Sequence, residues 1–356
     1  MNPWLSRFFM VSRQYSWLYV GMVGHIGIMW LMIQLGYMVP YYQAGLFYMR
    51  VATHLIVNLS LLYMLVVVVR LLREGRQNPT RALIGALREA LIAHDRYIHV
   101  PHVLIISILT IRTFATIKSS IPTVNAFSWD LRFMAADRLL FGGYDAYQWT
   151  SLLFGSTPAL VGLNFLYNLW LILVISAIVW CAFMRNNHLR MQYMFAMFLA
   201  WVVAGNFLAV FFSSAGPCFL ERLTGDHAFD PLMSSLKLAN EQTGMIWALL
   251  AQDALWAAYT SNDGAISGIS AMPSLHVVFA VLLYCALRHQ GSVARSAGLA
   301  FAVLVLVGSV QLGWHYAVDG IAGVVLALAF WRLAGSLASL ALGSPRYDAP
   351  ATAEPS

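Results

Sequence analysis

Apolar residues in this chain fall in long unbroken runs, and the polar positions gather in the stretches between them. Eight runs stand out: Trp17–Val39, Val51–Val69, Val100–Ile117, Leu160–Cys181, Met191–Phe212, Ala271–Leu287, Ala297–Trp314 and Tyr316–Trp331. Each lies near the roughly 17–25 residues that a membrane-crossing helix needs. The expected fold is therefore all-α, a polytopic transmembrane helix bundle of about eight spans. The first run is too long, and too far from any small-residue cleavage site, for a signal peptide, so an uncleaved helix is expected there. The last run is short and is expected to continue past Arg332 toward Ala338, the arginine stem snorkelling. Two connections are long and polar, Lys118–Ser156 and Ser213–Ser270. In the second, Glu241–Tyr259 alternates at near-helical spacing and predicts an interfacial helix. Arg70–Arg96 reads as an amphipathic helix on anionic headgroups. No repeat is visible. Residues 1–99 read as two N-terminal helices with a basic loop, 100–342 as a catalytic bundle, and 343–356 as a disordered tail.

Composition removes the soluble alternatives. Of the 356 residues, 60% are hydrophobic and 10% charged, with a mean hydropathy of +0.70, whereas soluble domains carry about 25% charged residues. The net charge of +6 would suggest nucleic acid in a soluble protein; here it sets orientation, and no nucleic-acid partner is expected. With the N-terminus inside, the inner segments hold 14 of the 21 basic residues and only 5 of the 15 acids. The positive-inside rule then places both termini inside and the long polar connections toward periplasm, lumen or exterior. Cys181, Cys218 and Cys285 have no paired spacing, so neither a disulfide framework nor a zinc site is suggested.

An ionisable residue at membrane depth is costly and points to function. His25, His54 and His102 read as interhelical packing residues, and Asn206 as an interhelical bond. Two segments carry more: SGISAMPSLHVVFA (Ser267 to Ala280) and GWHYAVDGIAG (Gly313 to Gly323). His315 and Asp319 are four apart, on one face if the helix begins near Trp314. A carboxylate there would fix the imidazole tautomer and leave the other nitrogen as base or nucleophile. Ser270 or Ser274, with Pro273, is helix-start chemistry, His276 follows in the first turn, and helix N-termini favour phosphate. Two histidines and a buried aspartate suit phosphoryl transfer from a lipid headgroup, one histidine attacking phosphorus and the other protonating the leaving oxygen. A metal site of two histidines and one aspartate is the alternative; no HExxH or cysteine pairing supports it.

PSLH followed some forty residues later by HYxxDG resembles the second and third signatures, usually PSGH and SRxxxxxHxxxD, of the type 2 phosphatidic acid phosphatase superfamily. The resemblance implies His315 as nucleophile forming a phosphohistidine, Asp319 as its orienter and His276 as proton donor. Leu275 replaces the usual glycine, and Gly308–Ser309 stand where Ser-Arg is usual. The first signature, KxxxxxxRP, is reduced to Lys118 with Asn125–Ala126 in the Arg-Pro position. MPSLH, HYxxD, an upstream IPxxNxFSWD…DRxLFGG block (Ile121 to Gly143) and an SAGP turn (Ser214 to Pro217) are similar to the aureobasidin-resistance family, which contains inositol phosphorylceramide synthases of sphingolipid metabolism. Over roughly Arg112 to Ala322 this likeness implies a multi-pass membrane enzyme needing no metal, nucleotide or other cofactor.

Around Lys118 two readings stay open. Lys118, Arg132 and Arg138 neutralise a substrate phosphate while Asp130 or Asp137 binds inositol-like hydroxyls, or the group forms ion pairs holding a loop over the bundle. The candidate catalytic residues are thus His276, His315 and Asp319, and the candidate substrate-binding residues Lys118, Asp130, Asp137, Arg138 and Ser274. The expected partners are a membrane phospholipid donor and a lipid hydroxyl or water as acceptor. Transfer to lipid makes a phosphotransferase; transfer to water makes a phosphatase acting on phosphatidate or polyprenyl (pyro)phosphate. A transporter with a His/Asp proton relay would need polar residues through the bundle and inverted repeats, and neither is visible.

Overall fold

The computed structural model describes residues 3–38, 42–74, 78–261 and 268–343. Among them there are helices and no strands, as expected where backbone groups must be satisfied without water. Two helices open the chain, α1 (Pro3–Gln14) and α2 (Ser16–Gln34), followed by α3 (Tyr42–Arg73), α4 (Pro79–Ile92) and α5 (Arg96–Ser119). Two short amphipathic helices, α6 (Asp130–Leu140) and α7 (Ala146–Phe154), lead into α8 (Thr157–Phe183) and α9 (Asn187–Phe211). Next come α10 (Asp230–Thr243), α11 (Trp247–Ser261), α12 (Leu275–Leu287), α13 (Ser292–Gln311) and α14 (Ala317–Leu342).

Six of these, α2, α5 (with the preceding turn), α8, α9, α13 and α14, are long and apolar enough to cross a membrane, and each covers most of one of the eight runs. The run Val51–Val69 lies inside α3, and Ala271–Leu287 yields only the 13-residue α12. The final helix passes Arg332 and Ala338, as expected, and ends at Gly343. The tail 344–356 lies outside the described residues. Glu241–Tyr259 is not one helix. Gly244, at φ +65°, closes α10, and α11 begins three residues later, because the left-handed C-cap that glycine accepts without strain cannot continue the helix. Arg70–Arg96 is likewise divided between the end of α3 and α4.

The core is a packed set of α5, α8, α9, α12, α13 and α14, with α2 and α3 against α5. Helix association in lipid relies on close approach, and α9 and α14, the most extensively packed pair, both bury alanines: Ala196, Ala200 and Ala204 on one, Ala327, Ala334 and Ala338 on the other. His25 on α2 meets Asn206 on α9 at 2.9 Å, and the Asn206 amide donates to the Phe114 carbonyl of α5. The expected interhelical role of both residues is thereby seen with its partners. His102 bonds Ser12 and Tyr19, again tying α5 to the N-terminal helices; His54 is exposed, and its ring meets the Arg50 carbonyl of its own helix. All three cysteines are free and buried.

One end of the bundle collects the end of α5, the starts of α8, α12 and α14, and the ends of α9 and α13. The two long connections therefore lie together at this end.

Candidate active site

The site is assembled from three chain reversals at that end. The first is the turn 214–217. Ala271 donates its N–H to the Ser214 carbonyl at 2.9 Å, and Met272 its N–H to Ser214 Oγ, so the turn fixes the strand-like approach to α12. Gly216, at φ +103°, presses so close to the Trp314 carbonyl that a Cβ would come within 2.4 Å of it. Only glycine fits both the conformation and the space. The second reversal is 312–316. The carbonyl of Ser309 accepts the N–H groups of Trp314 and His315, both at 3.0 Å, while Ser309 Oγ donates to Leu306. The third is the start of α12, where Ser274 occupies the N-cap position and donates its N–H to the Asp319 carbonyl.

His315 does not lie on a helix. The helix begins at Ala317, three residues later than the same-face argument assumed, because Asp319 Oδ2 accepts the Tyr316 N–H and starts the turn there. The pair still meets: His315 Nδ1 is 3.5 Å from Asp319 Oδ2, with His315 4% exposed and Asp319 fully buried. That separation is slightly longer than a hydrogen bond. It turns Nε2 away from the carboxylate. The His276 and His315 rings stand edge to face with centroids 5.7 Å apart. Lys118, at the end of α5, lines the same small cavity as His276, His315, Ser270 and Leu275, together with Gly205 and Ala209 of α9. The structure thus brings Lys118 together with both histidines.

The other candidates lie apart from that cavity. Asp130, 4% exposed, accepts the N–H groups of Ala215 and Gly216 and the hydroxyl of Tyr316. Asp137, 2% exposed, accepts the N–H groups of Ala317 and Val318 at 2.7 and 2.8 Å. From one helix, α6, two carboxylates hold the first reversal and the N-terminus of α14, where they also meet the positive end of the helix dipole. Burial raises both above the ordinary carboxylate range, Asp137 to about 6, against the opposing pull of the amides. Arg138 makes a two-pronged contact with Asp145 at 2.8 and 3.0 Å. Arg132 lies over the Trp129 ring. Asp130, Asp137 and Arg138 thus fasten the loop over the bundle, whereas Lys118 of the same block lines the cavity. Ser274 Oγ is buried and has no hydrogen-bond partner among the described residues.

Sequence reading missed two residues beside His276. Tyr167 stacks on its ring at 5.0 Å and Trp170 meets it edge-on at 4.3 Å. They are three apart on α8, so their shared face was legible, but not what it faces. It also missed the π-helical stretch Ala200–Leu208, which carries Gly205 to the cavity; such irregular turns favour functional sites.

Chemically, a neutral imidazole backed by a carboxylate, a second imidazole nearby and one ammonium group suffice for attack on phosphorus, protonation of the departing oxygen and charge neutralisation. No curated protein and no solved structure matches the chain. A model of the PAP2 superfamily does, over residues 131–333. That stretch is more than half of the chain and contains both histidines, Asp319 and the helices that position them, so the chain belongs to the PAP2 superfamily, whose members are generally phosphatases and phosphotransferases.

Proposed function

We propose that the protein is an integral membrane lipid phosphotransferase. It moves a phospho-headgroup, inositol phosphate or one like it, from a phospholipid to a lipid hydroxyl through a phosphohistidine on His315. One observation carries this reading: Lys118, His276 and His315 line a single cavity, with Asp319 buried behind His315. His315 Nε2 attacks the headgroup phosphorus, and His276 delivers its proton to the departing lipid oxygen. His276 then takes a proton from the acceptor hydroxyl as that oxygen attacks the phosphohistidine. Lys118 balances charge on the phosphate oxygens. The arginine-rimmed connections at the opposite end favour the cytoplasmic side for that end, which puts the cavity toward periplasm, lumen or exterior.

Transfer rather than hydrolysis is supported by a missing cation: Ser309 stands where the superfamily usually has an arginine, and it turns its hydroxyl to its own helix. The test uses purified protein in detergent with phosphatidylinositol, ceramide, phosphatidic acid and polyprenyl pyrophosphate. A new phosphorylated lipid that disappears in His276→Ala is the expected result. Free phosphate as the only product would replace transfer by hydrolysis.

A further inference from the structure

The two histidines are held in different ways. Asp319 faces His315 Nδ1 from 3.5 Å. His276 has no such partner: among the described residues its ring makes no hydrogen bond and no ion pair, and the rings around it are aromatic. Tyr167 lies against one face of the imidazole, with centroids 5.0 Å and planes 27° apart, and Trp170 meets it at 4.3 Å with planes at 70°. Both rings come from α8, three residues apart and so from one face of that helix. Tyr167 is 2% exposed, and its hydroxyl has no hydrogen-bond partner among the described residues. It is the ring of Tyr167, not the hydroxyl, that meets His276.

An imidazole without a hydrogen bond is fixed only by its packing, because χ2 of histidine is a broad torsion. A proton donor has little latitude. Its nitrogen must come within about 2.6–3.2 Å of the oxygen it serves, and a displacement of about 1 Å costs on the order of 100-fold in rate. The rings of α8 occupy two sides of the imidazole, and the His315 ring stands at 5.7 Å on another. Helix α13 in turn confines Tyr167. Gly308 lies so close that a Cβ there would stand 3.0 Å from Tyr167 Cδ2, so the tyrosine ring fills the space between Gly308 and His276.

We propose that Tyr167 and Trp170 are positioning residues for proton transfer: their rings hold the His276 imidazole in the orientation from which it protonates the departing oxygen. This rests on the phosphoryl-transfer reading and adds to it the part that keeps the acid in place. When the bond from phosphorus to the bridging oxygen breaks, the electron pair stays on that oxygen and takes the His276 proton, while the new bond to phosphorus is at His315. A departing oxyanion that is already stable needs no proton. The clamp therefore matters for an ester whose leaving oxygen is strongly basic, and not for one whose leaving oxygen is weakly basic.

The test pairs two donors with one headgroup: phosphatidylinositol, which releases a basic diacylglycerol oxygen, and the p-nitrophenyl ester of inositol phosphate, which releases a stable phenolate. Release is followed in the first turnover, before the acceptor step. Tyr167→Leu and Trp170→Leu are each expected to slow release from phosphatidylinositol about tenfold or more, with the p-nitrophenyl ester within about twofold of wild type. Tyr167→Phe keeps the ring and should restore the phosphatidylinositol rate to within about twofold. Equal losses on both esters, no loss on either, or a phenylalanine variant as slow as the leucine one would overturn the proposal. A second readout needs no turnover: the ring-current shift of the His276 Cε1 proton, assigned by its disappearance in His276→Gln. It is expected to move toward the value of free histidine in both leucine variants and to persist in Tyr167→Phe; an unchanged shift in the leucine variants overturns the clamp. The expected shifts in a protein that turns over neither ester would uphold the clamp and refute the transfer reading instead.

Discussion

His315 and Asp319 were readable from their four-residue spacing, yet for a reason different from the one that joins them. The spacing suggests two residues on one helical face; the structure holds His315 in a turn through the Ser309 carbonyl and lets Asp319 reach back from the first turn of α14. Asp319 Oδ2 has two duties, accepting the Tyr316 N–H and facing His315 Nδ1. Asp319→Asn keeps the shape but not the charge that stabilises an imidazolium, and a loss on the order of 10⁴-fold in kcat is expected, with comparable loss in His315→Ala. Lys118→Ala should instead raise KM chiefly, because its ammonium holds phosphate but exchanges no proton. Steady-state kinetics on well-folded variants check this contrast; full activity in either of the first two would remove His315 from the chemistry. Lys118 was recognisable from its place at the end of an apolar run. The roles of Asp130 and Asp137 were not, because their partners are backbone amides 85 to 181 residues away, and side-chain identity carries no signal about those.

At the scale of elements, α6 is a brace. Its two carboxylates fasten the 214–217 turn and the start of α14, the two segments that set where His315 sits. Asp137 makes the brace sensitive to pH. Its carboxyl is raised to about 6 in the folded protein, by burial first and then by the nearby Asp319 and Asp145, against an ordinary 3.8. Since the folded pKa lies above the unfolded one, the contribution is full below about pH 4 and is lost as pH rises through about 6, a span worth up to about 3 kcal/mol. The wild-type protein should therefore melt at a higher temperature at pH 5 than at pH 7.5 by more than Asp137→Asn does. Equal slopes in the two melting profiles would show that Asp137 keeps the same pKa folded and unfolded. Element boundaries were the least legible feature of the sequence. Gly244 divides an expected single helix, and α12 is shorter than its apolar run because Ala271–Pro273 is spent on the turn that meets Ser214.

For the whole molecule, the long apolar runs announced an all-helical bundle, since hydrophobicity over about 20 residues has few other uses. They could not show which helices pack together. That follows from small-residue seams such as the one between α9 and α14, and from single polar links such as His25 to Asn206. The bundle exists, on this account, to bring a phosphate ester and two histidines together at one end. Its central claim is that phosphorus is attacked twice, first by His315 and then by the acceptor. The stereochemical course at phosphorus tests this most directly, using a donor lipid made chiral there by one sulfur substitution. Two successive in-line attacks each invert the centre, so net retention is the expected result. Net inversion would mean that the acceptor attacks the donor directly, and would contradict the phosphohistidine.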